Sequence, residues 1–333
     1  MSSIEEPAIL LVGGTGTTGL PLSKLLLSKT DYTLLITSRR GSQGIPADLF
    51  ETCSNAGARI KGVNFDWDDR STFENLFSDE TRAVGTDEIT LGSLKVEAMY
   101  LVPPYTGYTD NSARVLVDLA VEHEVSRIVL LSDTLHEKGE LSIGAKLQEY
   151  LHELKKAGKI ETYAVLRPSW FYRNFIQLDR GDILQNNQIS SMKEDGRIGW
   201  VSVATIAETA LHALVDDHAE VAEQYIITGP NLHSCDDTAA ILTQVLGREI
   251  RHHRLTLADF LSRWSEAGFP KEYVDFLATC DQRAASGKDE AMFNLESDPR
   301  SSLKRVKGSE TLEDYLRDNE SMFTRSRIDD DAL

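Results

Sequence analysis

The sequence predicts an α/β protein built on a doubly wound parallel sheet, with a smaller, mainly helical lobe at its C-terminal end. Three observations predict it. Short apolar runs alternate with helix-period segments through the first half of the chain, the pattern of successive βαβ units. A glycine cluster, Gly13, Gly14, Gly16 and Gly19, stands between the first apolar run and the first helical segment. After Pro168 the alternation becomes irregular, and helical patterns dominate from Thr256 onward.

Residues 8–12 read as a buried first strand, followed by a helix over 20–28 that sets Leu22, Leu25 and Leu26 on one face. Residues 32–37 give a second strand and 58–63 a weaker third. After it, Ser71-Thr72-Phe73-Glu74 has capping-box spacing for a short helix. A fourth strand over 98–102 is stopped by Pro103-Pro104, and Asp110 is placed to cap a helix over 111–124. Residues 127–131 form the fifth strand, about 142–157 a helix, and 162–166 a strand ended by Arg167-Pro168. Right-handed crossovers turn this order into a doubly wound sheet. Beyond it the sequence predicts strands over 200–203 and 224–228 and helices over 205–215 and 236–246. The expected division is therefore a sheet domain over 1–168, with sheet contributions from about 199–229, and a second lobe over 169–333 interleaved with it.

Composition limits the function. Of 333 residues, 41% are hydrophobic and 26% charged, which suits a globular chain. Lys plus Arg at 35 against Asp plus Glu at 53 gives a net charge of −18, which disfavours nucleic acid as a partner. Cys53, Cys235 and Cys280 have neither a disulfide-framework nor a zinc-site spacing. The adjacent His252 and His253 lack the spacing of metal ligands, so no metal is expected. The apolar runs fall far short of the ~18 residues of a membrane span. Residues 1–7 carry Glu5 and Glu6 but no basic stretch, so a cytoplasmic location is expected. Nothing in the sequence sets an oligomeric state.

The chemistry is concentrated in Gly13-Gly14-Thr15-Gly16-Thr17-Thr18-Gly19, in strand-turn-helix context. Gly14, Gly16 and Gly19 fit G-x-G-x-x-G, while Gly13, Gly16 and Gly19 fit the G-x-x-G-x-x-G variant. Such a loop lets backbone amides and the positive end of a helix approach a pyrophosphate, which identifies a Rossmann-type dinucleotide site. Enzymes selective for NAD place an acid about 20 residues further on, against the ribose 2′-hydroxyl. Here that place falls in Ser38-Arg39-Arg40, where two guanidiniums and a hydroxyl suit a 2′-phosphate. The expected cofactor is NADP(H); the alternative for Arg39 and Arg40 is a solvated loop.

The phosphate loop, Asp66-Trp67, Leu101-Val102-Pro103-Pro104, the run from Leu166 to Phe175, Trp200-Val201-Ser202-Val203 and Ile227-Thr228-Gly229-Pro230 keep their order over most of the chain. Together they resemble the NmrA-like branch of the atypical short-chain dehydrogenases, and within it the fungal ergot-alkaloid dehydrogenases that reduce iminium intermediates. The resemblance implies that Asp66 and Trp67 flank the adenine. It places Pro103, Pro104 and Tyr105 beside the ribose and nicotinamide, and Pro168 through Asn174 along the nicotinamide and substrate. The function implied is an NADP(H)-dependent oxidoreductase acting on an iminium, imine or conjugated cyclic intermediate of alkaloid biosynthesis, a bulky, nitrogen-containing small molecule. A redox-linked cyclase and a non-catalytic dinucleotide sensor are the alternatives.

No tyrosine in the chain has a lysine four residues later, so the usual Tyr-x-x-x-Lys proton donor is missing. The lysine of the isoflavone-reductase-like relatives aligns with Gly144, and Lys146 stands two positions on, rotated by roughly 200° on a helix. Lys146 is therefore either catalytic or a solvated helix residue. Iminium reduction tolerates the loss, because the acceptor already carries its activating charge. Asp133, just after the fifth strand, either stabilises such a cation or caps a turn. Tyr105 is the remaining catalytic candidate, and Tyr108, Trp170, Phe171, Tyr172 and Asn174 are the candidates for substrate contact.

Overall fold

The computed structural model describes residues 6–78, 94–104, 111–134, 143–297 and 302–324. Strand β1 (Glu6–Val12) is fully buried from Ala8 to Val12 and pairs in parallel with β2 (Thr33–Ser38) on one side and β4 (Leu94–Leu101) on the other. Outward from β2 lies β3 (Ile60–Asn64); outward from β4 come β5 (Arg127–Leu131), β6 (Thr162–Pro168), β8 (Gln224–Thr228) and β10 (Leu303–Lys307). All eight strands are parallel, in the order β10-β8-β6-β5-β4-β1-β2-β3. Strand order reverses at β1, the place where open α/β sheets bind ligands.

Both faces of the sheet are covered, which is why its central strands read as continuous apolar runs. Ile9, Leu11, Leu34 and Ile36 pack beneath Leu22 and Leu26 of α1 (Gly19–Lys29) and Ile206 and Ala210 of α6 (Val203–Val215). Ala8, Leu10, Val12 and Leu35 face the other way. They share a core with Leu116 and Val117 of α3 (Ser112–Glu122) and Leu147 and Leu151 of α4 (Ile143–Lys156).

The third strand begins later than its sequence suggests. Ala58 and Arg59 end a single helical turn, α2 (Ala56–Arg59), and the buried Arg59 guanidinium donates to the carbonyls of Leu27, Thr30 and Tyr32 at 2.6–3.1 Å. That anchoring fixes the chain before β3 starts. Asp69, rather than the Ser71–Glu74 pair, caps the following turn, accepting from the Ser71 amide at 3.0 Å. Residues 200–203 form no strand: Val201 makes one bridge to Phe171, and Ser202 caps α6, accepting from the Thr205 amide at 3.3 Å. The proposed Asp110 cap lies outside the described residues.

The C-terminal lobe contains α5 (Arg180–Asn186), the parallel pair β7 (Gln188–Ser191) and β9 (Arg251–Arg254), and α7 (Cys235–Leu246). It continues through α8 (Leu257–Glu266), α9 (Lys271–Ala285), α10 (Lys288–Asn294) and α11 (Leu312–Asp318). Helices do not run unbroken to the end, because β10 returns to the main sheet beside β8. Its Leu-Lys-Arg-Val-Lys sequence is that of a charged edge strand and gives no apolar run. Among the described residues no helix is long and apolar enough to cross a membrane.

Candidate active site

The glycine loop is shaped by crowding as well as by turn geometry. Gly13 has φ +90°, and its amide donates to Thr37 Oγ1 at 3.0 Å. A Cβ on Gly19 would lie 2.1 Å from the Gly13 carbonyl oxygen, and one on Gly14 would lie 2.9 Å from the Leu11 Cβ. Gly16 is different: it is exposed, and its amide donates back to the Gly13 carbonyl at 2.9 Å. No side chain caps the first turn of α1. Three glycines thus fold the loop, while the fourth faces outward beside helix amides, a cradle that fits a pyrophosphate. Thr15 is part-exposed in this loop, and the buried Thr18 hydroxyl bonds the Tyr100 hydroxyl at 2.9 Å.

At the end of β2, Ser38 Oγ accepts from the Arg40 amide at 3.2 Å, and the Arg39 carbonyl accepts from Asn64 Nδ2 at 2.7 Å. Arg39 Nε reaches Asp66 Oδ1 at 3.4 Å, with 74% of the Arg39 side chain exposed. Arg40 is exposed as well. Trp67 is held edge-on against Phe65 and Phe73, with ring centroids 4.9 and 5.9 Å away. Arg39 and Asp66 are therefore together, and Arg39 and Arg40 remain accessible to a phosphate.

A cavity of about 320 Å³ opens at the carboxyl ends of β1, β4, β5 and β6. Gly13, Gly16, Thr17 and Thr18 form one wall, Val102 and residues 131–134 the floor, and Pro168, Trp170, Phe171 and Asn174 a second wall. Asp133 therefore lies in the cavity lining, and its carbonyl accepts from Arg167 Nε at 3.2 Å. Pro103 and Pro104 are part-buried just beyond β4, outside this lining. Tyr105 and Tyr108 lie outside the described residues.

Two candidates need correction. Lys146 is exposed on α4 and does not line the cavity, whereas Gly144, the aligned position, is buried, with an added Cβ only 2.5 Å from Ser132 Oγ. The helix rotation thus carries the ammonium away from the site. Tyr172 is 2% exposed, donates to the Glu310 carbonyl at 2.9 Å and stacks on Tyr315, so it packs the C-terminal lobe instead of touching substrate.

Ser169 falls within the stretch 168–174 that the resemblance placed at the site, but its partners Thr134 and Asp289 escape sequence reading. Ser169 Oγ and Thr134 Oγ1 donate to Asp289 Oδ1 at 2.9 and 3.3 Å. Burial pushes the Asp289 carboxyl up to about 6 against the pull of those hydroxyls. The hydroxyl protons are committed to Asp289, which leaves oxygen lone pairs for the cavity. Tyr273, Phe276, Leu277 and Cys280 form the outer wall, one face of α9 at helical spacing. That stripe was the available signal. Burial, and after it the neighbouring Cys280, raises the Tyr273 hydroxyl. Among the described residues no group of three or more His, Cys, Asp or Glu side chains is placed to hold a metal.

Comparison with known proteins matches residues 8–89 to the KR domain family. Agroclavine dehydrogenase of Claviceps fusiformis is 32% identical over 323 residues, spanning 95% of this chain and 98% of that protein. The chain belongs to the NmrA-like branch of the atypical short-chain dehydrogenases. Festuclavine synthase II of Penicillium roqueforti, 32% identical over 86% of this chain and 91% of its own, is a further relative in that branch. Among solved structures, the NADPH-dependent quinone oxidoreductase of Escherichia coli complexed with NADPH shares the fold. Its TM-score is 0.65 at 18% identity, covering 94% of this chain and 99% of that one. The chain is an oxidoreductase, related to the fungal agroclavine dehydrogenase and festuclavine synthase.

Proposed function

We propose that the protein is an NADP(H)-dependent reductase of an iminium or conjugated imine in a bulky, cyclic, nitrogen-containing metabolite, an intermediate of alkaloid biosynthesis. One observation carries this reading: the cavity beside the phosphate loop is lined by Asp133 and by aromatic side chains, but by no tyrosine-lysine pair among the described residues. The glycine loop would hold the pyrophosphate, Arg39 and Arg40 the 2′-phosphate, and Asp66 and Trp67 would border the adenine. When bound, the nicotinamide supplies a hydride.

The chain's own residues do the rest. Trp170 and Phe171 hold the apolar ring system and exclude water. Asp133 offsets the positive charge of the acceptor. Ser169 and Thr134, oriented by Asp289, present acceptor oxygens to the substrate. An iminium becomes a neutral amine on reduction, so no side chain must deliver a proton to oxygen. A cytoplasmic setting fits the reduced NADP pool on which such a reductase draws. The test is single turnover of a cyclic iminium with NADPH deuterated on each face in turn. Deuterium on the former iminium carbon supports the reading. Tight NADPH binding with no transfer to any imine would sink it in favour of a dinucleotide sensor.

A further inference from the structure

No lysine, arginine or histidine is among the described residues that line the main cavity, so no cationic side chain there donates to a ligand. Two hydroxyls in the lining have no proton to offer either. Ser169 Oγ and Thr134 Oγ1 both donate to Oδ1 of Asp289, at 2.9 and 3.3 Å, and a hydroxyl has one proton beside its two lone pairs. Backbone bonds fix the pair at the carboxyl ends of β6 and β5. The Thr134 amide donates to the Pro168 carbonyl at 3.2 Å, and the Ser169 amide to the Ile227 carbonyl at 2.9 Å.

Asp289 of α10 is 2% exposed, and its Oδ2 has no hydrogen-bond partner among the described residues. A proton on this carboxyl therefore has an unoccupied place on Oδ2 and leaves Oδ1 accepting from both hydroxyls, so the arrangement does not depend on the charge of Asp289. Burying a carboxyl costs free energy, and what it secures here is direction: both hydroxyl protons turn inward and oxygen lone pairs are left for a ligand. Thr134 follows Asp133, the residue given above to the charge of the acceptor, and both line the cavity. A protonated imine, C=N–H⁺, suits all of these groups, because Asp133 offsets its charge and an acceptor oxygen takes its N–H. An N-alkylated iminium has the charge but no N–H, and it covers the acceptor oxygens without bonding them. A site built to bond an N–H discriminates against the analogue that lacks it.

We propose that the C=N nitrogen of the substrate carries a hydrogen, and that Ser169 and Thr134 accept it, with Asp289 as their positioning residue. The proposal rests on the imine-reductase reading above and narrows its substrate class to protonated imines. It also fixes the class of reaction that supplies the substrate: a primary amine condenses with an aldehyde or ketone, water is lost, and protonation leaves one hydrogen on nitrogen. A secondary amine would give the N-alkylated ion instead.

The probes are 3,4-dihydroisoquinoline, used at pH 6 as the protonated imine, and its N-methyl iminium ion, which has the same rings and charge. Calorimetric titration into the NADP⁺-loaded protein reads affinity without turnover. Wild type should bind the protonated imine tighter by about tenfold or more. Ser169→Ala with Thr134→Val removes both acceptors at nearly constant shape and should cut that ratio to below threefold, which separates hydrogen bonding from the bulk of the methyl group. Asp289→Asn keeps an acceptor oxygen for the hydroxyls and should preserve the ratio. Asp289→Leu frees both hydroxyl protons, so it should weaken the protonated imine and strengthen 1-tetralone, a neutral ring ketone that only accepts, several-fold; a purely structural role would weaken both. If Asp289→Leu does not fold, the hydroxyl variants decide alone. Equal wild-type affinity for the two cations, or a ratio untouched by the hydroxyl variants, would overturn the proposal. Reduction of the N-methyl ion by NADPH as fast as the protonated imine would overturn it too and leave the reductase reading standing, whereas NADP⁺ binding with neither cation bound would overturn both.

Discussion

Arg39 Nε lies 3.4 Å from Oδ1 of Asp66, joining the end of β2 to the turn after β3. The contact holds a guanidinium at the place where a ribose 2′-phosphate would be read, and with Arg39 74% exposed it is easily exchanged for a stronger partner. A phosphate offers Arg39 more charge than one carboxylate does. The double variant Arg39→Ala, Arg40→Ala should therefore lose about ten- to a hundredfold in NADPH affinity while NADH binding stays the same. Asp66→Asn should raise NADPH affinity a few-fold by releasing Arg39. Calorimetric titration with both cofactors checks both expectations; equal wild-type affinities for NADPH and NADH would remove the role given to the arginines.

The loop glycines should separate into two classes. An added Cβ at Gly19 meets the Gly13 carbonyl at 2.1 Å, so Gly19→Ala forces the backbone apart and should lower the melting temperature by several degrees. The corresponding distance at the exposed Gly16 is 3.1 Å, so Gly16→Val can fold. It should nevertheless abolish NADPH binding, because its side chain takes the space of the pyrophosphate. Circular dichroism beside calorimetry distinguishes the two, and a folded Gly16→Val that binds NADPH normally would place the phosphates elsewhere.

Asp289 should make stability depend on pH in a defined direction. Burial holds its carboxyl at about 6 in the folded protein, above the ordinary carboxyl value of 3.8. The folded state therefore binds the proton more tightly than the unfolded state does. This favourable contribution is complete below pH 4 and is lost as pH rises to about 6, at about 1.4 kcal/mol per pH unit. Asp289→Asn keeps an oxygen for Ser169 and Thr134 and removes the titration. Its stability relative to wild type should rise by at most about 3 kcal/mol between pH 4 and pH 7. A difference constant over that range, measured by urea unfolding, would place the raised carboxyl elsewhere.

What could be read from the sequence follows burial. Residues 8–12 and 127–131 are buried on both sheet faces, so their apolar runs identify strands without help from context. The edge strand β10 has no such run. Trp200 and Val201 are apolar and buried and Val203 is part-buried, but an apolar run that short does not separate a strand from the approach to a helix. The phosphate loop was legible because its glycines are adjacent in sequence. The Asp289 group was not, since its bonds to Ser169 and Thr134 span 120 and 155 residues and leave no local pattern.

Asp133 and Lys146 give the sharpest test of the mechanism. Asp133 lines the cavity beside Pro168 and Trp170, whereas Lys146 points to solvent from α4. If the acceptor is an iminium, its charge is present before hydride arrives and disappears afterwards, so a carboxylate matters and a proton donor does not. Lys146→Ala should retain nearly full kcat/KM. Asp133→Asn keeps the size of the side chain and removes its charge, and should lower kcat/KM for the iminium by about 10- to 100-fold. A general acid, by comparison, is worth about 10²- to 10⁴-fold. Steady-state kinetics on the two variants decides between these roles. A thousandfold loss in Lys146→Ala with Asp133→Asn unaffected would mean that the helix turns its ammonium into the site during turnover, and that the substrate is a carbonyl or enone needing a proton.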